Sequence, residues 1–122
     1  MLMDYFYGNQ VQQFSAVVVP RELLFGENFT ALSLTSKMLY AILLDRMSDV
    51  AVNKWTDEEN RAYIIYPINQ IREDFNFSKH TIIASMNELE DTGLIKRKSV
   101  KGKPSRIYVK NFNKKQVLKR IG

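Results

Sequence analysis

The stretch that most limits what this chain can become runs from Ser78 to Phe112, "SKHTIIASMNELEDTGLIKRKSVKGKPSRIYVKNF". Ile82, Met86 and Leu89 stand at i, i+4 and i+7, which gives a helix from Lys79 to about Thr92 one apolar side. Ser78 is a good N-cap for it, because its hydroxyl oxygen can accept from a free N–H of the first turn. Gly93 is placed to end it in left-handed backbone, which glycine adopts without strain. Directly afterwards "LIKRKSV" and "SRIYVKNF" alternate as paired strands do, with "KGKP" as the turn between them.

The segment upstream narrows the architecture further. Pro67 suits the first position of another helix, "PINQIREDFN", with Ile68, Ile71 and Phe75 as its apolar stripe. Asn76-Phe77 then forms the turn into the Ser78 helix. A short helix, a brief turn, a second helix and a hairpin make a helix-turn-helix with a wing.

Earlier elements fill in around this unit. Phe14 to Val19 is β-branched and aromatic and ends at Pro20, so it reads as a strand. "RELLFGENF" suggests one helical turn. "LSLTSKMLYAILLDRMSDV" is the clearest helix, with Thr35 or Ser33 as cap and Met38, Leu39, Ile42, Leu43 and Met47 as its apolar face. "AVNKWTDEEN" is a loop, and "RAYIIYP" a short strand stopped by Pro67. The fold class expected is α+β: a winged helix-turn-helix with an extra N-terminal strand and arm. Residues 1–12 form the arm and residues 13–112 the winged-helix domain. Residues 113–122 are a basic tail, with Val117, Leu118 and Ile121 on one side of a short helix. A chain of 122 residues fits one such domain.

Charge points to a function. The net charge is +5, but residues 1–77 carry six basic and ten acidic side chains, while residues 78–122 carry twelve basic and three acidic. From residue 94 onward there are eleven Lys or Arg and no Asp or Glu. Such asymmetry within one domain suits a polyanion. The absence of cysteine excludes disulfides, thiol catalysis and Cys-ligated zinc, and fits a cytoplasmic protein. No apolar run approaches the roughly 20 residues that span a bilayer. The start "MLMDYFYGNQ" is not built like a secretory signal. One histidine and an acidic "DEEN" run make no metal site, and no phosphate loop or nucleophile–base pair is legible. The chain is therefore expected to be neither an enzyme nor a holder of cofactors.

With Ile82, Met86 and Leu89 turned inward, Lys79, His80, Ile83, Ala84 and Asn87 face outward on a helix that fits the major groove. Ser78 and Thr81 complete its first turn and are expected among the DNA-binding residues. Lys79 suits a guanine edge or a phosphate, Asn87 an adenine, and Ile83 and Ala84 a thymine methyl. Lys101 and Lys103 flank Gly102 at the wing tip, where they suit phosphate or a minor groove. Lys96, Arg97, Lys98 and Arg106 lie on the wing strands, where alternation turns only some of them toward DNA, and Arg106 is expected among the DNA-binding residues. Tyr5, Phe6 and Tyr7, with the strand Phe14–Val19, offer apolar surface for a homodimer. The competing readings are a transcriptional regulator of the same fold and a winged-helix module for an acidic protein partner.

From about Phe6 to Phe112 the sequence resembles the N-terminal domain of plasmid replication initiators of the RepA_N type, from low-GC Gram-positive bacteria. The motifs that carry the resemblance are "LSLTSKMLYAILLDRMS", "NKW.DEENR.YIIY" and "FSKHTI". It implies a dimeric winged-helix domain that binds repeated double-stranded sequences in a plasmid origin. It also implies a C-terminal domain, absent from this chain, that meets host replication proteins, with the basic tail as the start of a linker to it.

Overall fold

The computed structural model describes residues 3–8 and 15–111. The elements are α1 (Arg21–Phe25), α2 (Leu34–Arg46), α3 (Val50–Asn53), α4 (Ile68–Phe75), α5 (Lys79–Asp91), β1 (Ile95–Val100) and β2 (Lys103–Val109). Short 3-10 turns at Glu27–Phe29 and Met47–Asp49 follow α1 and α2. β1 and β2 pair antiparallel as a two-stranded sheet. The mixture of packed helices with a small antiparallel hairpin is a winged helix.

The core is built where α2, α4, α5 and the hairpin meet. Leu39, Tyr40 and Leu43 of α2 join Ile71 of α4, Ile82, Met86 and Leu89 of α5, and Ile95 and Ile107 of the hairpin. Ile82, Met86 and Leu89 are all buried, as their spacing requires. Ser33 caps α2 by accepting from the Ser36 N–H at 3.1 Å, while its own N–H donates to the Glu88 carboxylate of α5. The Tyr40 hydroxyl donates to the Lys110 carbonyl at 2.6 Å, so α2 also holds the end of the wing.

Several expectations are corrected. Residues 15–19 form no strand; Ser15 to Val18 are exposed and carry no ladder, and Phe14 lies outside the described residues. A β-rich stretch needs a neighbouring strand to pair with, and no described segment supplies one. "RAYIIYP" contributes single bridges, Thr56 with Ala62 and Ile64 with Ile107, in place of a full strand. Part of the expected loop is helical, since Val50–Asn53 forms α3 and closes in left-handed backbone at Lys54. The buried stripe of α2 is Ser36, Leu39, Tyr40 and Leu43, so its face is rotated and Met38 is 49% exposed. Pro67 is the N-cap of α4, one residue before its expected place, and Phe75 lies at the edge of the core with its ring against Tyr66. The basic tail lies outside the described residues.

Candidate nucleic-acid interface

α4 and α5 are joined at Asn76, whose left-handed backbone (φ 56°) turns the chain sharply. Asparagine tolerates that conformation better than most residues. Ser78 then caps α5 by accepting from the Thr81 N–H at 3.1 Å, and its hydroxyl donates to the Thr81 hydroxyl at 2.8 Å. Both side chains are thus engaged in fixing the first turn. That turn carries Lys79 and His80, both exposed, and no acid. A cation such as Lys79 at a helix N-terminus opposes the macrodipole, so the arrangement costs stability until an anion arrives.

His80, Ile83, Ala84 and Asn87 are exposed along one stripe of α5. Lys79 lies to the side, toward the wing. Together with Tyr66, Pro67, Ile68, Asn69, Met86, Arg97, Pro104, Ser105 and Ile107 it lines a cleft of about 420 Å³. The cleft has an apolar floor and cationic side chains from both the helix and the hairpin. The structure therefore brings Lys79 and the wing to one concavity.

The hairpin divides its cations by face. Ile95 pairs with Val109 and Arg97 with Ile107, and this face meets α5. Arg97 donates to Glu90 from its backbone N–H (2.9 Å), Nε (3.3 Å) and Nη2 (3.0 Å), and Nη2 also donates to the Asn87 side-chain Oδ1 at 2.8 Å. These bonds from Arg97 hold the Glu90 carboxyl below its ordinary pKa. Lys96 pairs with Tyr108 and Lys98 with Arg106 on the opposite face. There the Arg106 guanidinium lies 4.5 Å from the centre of the Tyr63 ring. Arg106, expected at the interface, is thus half-buried on the far side of the wing from α5. Lys101 and Lys103 are exposed on either side of Gly102, whose φ of 75° makes the tight turn.

The residues 55–63 brace that far face. Asp57, its side chain only 2% exposed, accepts from the N–H groups of Glu59 and Arg61, from Arg61 Nε and from the Tyr108 hydroxyl, each at 2.9 Å. Ile64 exchanges two backbone hydrogen bonds with Ile107, also at 2.9 Å. The wing is therefore clamped between α5 and this loop. Neither clamp shows as a motif; strand alternation places Arg97 with Ile95, but Glu90 and Asp57 become partners only through the fold.

Burial alone would raise the Asp57 pKa. The hydrogen bonds from Arg61 and Tyr108 outweigh it and hold the carboxyl at about 2. That is below the value of about 3.9 in an unfolded chain, so the stabilisation is complete above pH ~4 and is lost as the pH falls toward ~2. Urea melts between about pH 5 and pH 2 are expected to show an acid-sensitive component that Asp57→Asn removes. Parallel acid limbs in the two proteins would contradict this.

A family model described as Replication initiator protein A (RepA) N-terminus matches residues 15–120. A protein of Lactobacillus helveticus named 41 kDa protein is 24% identical over 97 residues, which cover 74% of this chain and 28% of that protein. The chain thus spans little more than a quarter of that relative's length. Among solved structures, one described as the N-terminal domain of a DNA binding protein matches with a TM-score of 0.76 at 26% identity, covering 98% of this chain and 93% of that one. A structure of a Rep-DNA complex matches at 0.75 and 27% identity over 97% of this chain and 92% of the other. A structure of an MDR initiator matches at 0.73 and 25% identity, over 97% and 95%.

Proposed function

The chain belongs to the family of replication initiator protein A N-termini, and we propose that α5 and the wing form a face that binds double-stranded DNA at repeats in a plasmid replication origin. The observation that carries this reading is the junction of the two elements: a capped helix start whose Lys79 lines a cleft walled on its other side by the hairpin, with His80 exposed beside it. The likeness to a Rep-DNA complex supports it. Ser78 and Thr81 fix the helix start, Lys79, His80, Ile83, Ala84 and Asn87 face the groove, and Lys101 and Lys103 hold phosphate at the flank. Arg106 belongs to the same basic surface only as a brace at the back of the wing. The reading takes residues 13–112 as the DNA-binding domain, residues 1–12 as an arm and residues 113–122 as a basic linker.

The domain acts as a homodimer in this reading. Tyr5, Phe6, Tyr7, Val17 and Val18 are exposed apolar side chains near the N-terminus, and Phe25, Leu34 and Met38 are exposed on α1 and α2. A two-fold pair would set two copies of α5 on spaced half-sites. Contacts of the whole initiator with host replication proteins belong to the same proposal.

The test is selection of binding sites from random duplexes, followed by footprinting of the plasmid origin and sedimentation of the complex. The expected result is a selected sequence that recurs in the origin, occupied by two chains per pair of half-sites. Selection of no sequence would contradict the reading; one chain per site would contradict the dimer.

A further inference from the structure

We propose that Asn87 is a specificity-determining residue that reads a base edge by donation, its carboxamide set in one orientation by Arg97 and Glu90. The inference rests on the DNA-binding reading above and narrows the chemistry of the bases it selects.

Asn87 lies seven residues after His80, nearly two full turns, so both project from the same line of α5. It is exposed, as are Ile83 and Ala84 between them. Its carboxamide is nonetheless not free to turn. Arg97 Nη2 stands 2.8 Å from Oδ1. A guanidinium only donates, so the atom that faces it must be the oxygen and not the NH2. Arg97 is itself held by three hydrogen bonds to the Glu90 carboxylate, one of them from its own backbone. Glu90 and Asn87 stand one turn apart on the same helix, so guanidinium, carboxylate and carboxamide form a closed unit between α5 and β1.

The consequence is chemical. With the oxygen turned toward β1, the Nδ2 hydrogens point away from it, and the side chain presents donors. The familiar bidentate pairing of asparagine with adenine needs the oxygen to accept from N6 while the nitrogen donates to N7. Here Arg97 takes one of that oxygen's two lone pairs and keeps it turned toward β1. Donors alone favour a base with an acceptor at that height of the major groove, namely O6 of guanine or O4 of thymine. They disfavour cytosine and adenine, which place an amino group there. This orientation departs from the pairing of Asn87 with adenine that the residue type alone suggests.

The experiment takes the selected duplex, varies each base pair in turn, and measures binding of the wild type, Asn87→Asp, Arg97→Met and Lys79→Ala. For the wild type, one pair is expected to prefer guanine or thymine over cytosine by about ten- to a hundredfold. Asn87→Asp keeps the shape and still accepts from Arg97, but turns an acceptor outward. Its preference at that pair alone is expected to change to cytosine or adenine. Arg97→Met frees the carboxamide, and adenine should become acceptable at the same pair. Circular dichroism and cooperative urea melts of each variant report that the fold is intact. If Asn87→Asp weakens every duplex alike, or leaves every preference as it was, the inference is wrong. If Lys79→Ala in the same series loses the cognate preference, that failure belongs to Asn87 alone. If Lys79→Ala also changes nothing, the failure belongs to the reading of α5.

Discussion

Neutralising Lys101 and Lys103 together is expected to weaken binding to cognate and random duplexes by the same factor and to reduce the salt slope by about two. Each lysine that neutralises a phosphate releases close to one condensed counterion, so losing two contacts lowers the slope by roughly that number. The structure favours this outcome because the tip is exposed while the base of the wing is not free to move. Tyr108 is bonded to Asp57, Ile107 to Ile64, and Arg97 to Glu90. Removing charge at the tip therefore removes contacts without repositioning the hairpin. Arg106→Gln is the internal comparison. Its guanidinium is stacked on Tyr63 behind the wing, and its loss should change the slope less than either lysine. Titrations at several salt concentrations on both duplexes measure this. An unchanged slope for the double variant would take the wing tip off the contact surface.

The helix-turn-helix and wing were legible because their signals are local. Ser78 caps α5, Gly93 follows it with φ 82°, and Ile82, Met86 and Leu89 are buried, all within one short stretch of chain. The hairpin was legible for the same reason, since alternation and a Gly-centred turn need no distant partner. The strand expected at Phe14–Val19 fails because β-propensity states a preference for pairing and not the presence of a mate. The α2 face is misplaced by a fraction of a turn because that helix carries apolar side chains on both sides, with Leu34 and Met38 exposed opposite the buried stripe. Periodicity cannot choose a side when both are apolar. At the site, outward positions on α5 followed from its core face, and Lys79, His80, Ile83, Ala84 and Asn87 are all exposed. What the chain order hid was pairing across it: Arg106 with Tyr63, and Asp57 with Tyr108, 51 residues apart. Arg97 with Glu90 and Asn87 is closer in sequence, yet it depends on how the hairpin folds back onto α5.

Lys79 tests the central claim, that α5 enters the groove and reads sequence. Its backbone is fixed by the Ser78 cap, so its side chain starts from a rigid platform, and it lines the cleft shared with the wing. A lysine so placed reaches either a guanine edge or the phosphates that frame it. Base contacts discriminate between sequences and phosphate contacts do not. The measurement is competition binding of wild type and Lys79→Ala against a cognate repeat and a scrambled duplex of the same length and composition. The expected loss is about 1–3 kcal/mol on the cognate duplex and much less on the scrambled one. An equal loss on both would make Lys79 a phosphate contact and leave base reading to His80, Ile83, Ala84 and Asn87. No loss on either would contradict the account at its centre, because a helix whose one lysine is indifferent to DNA is not the element that reads it.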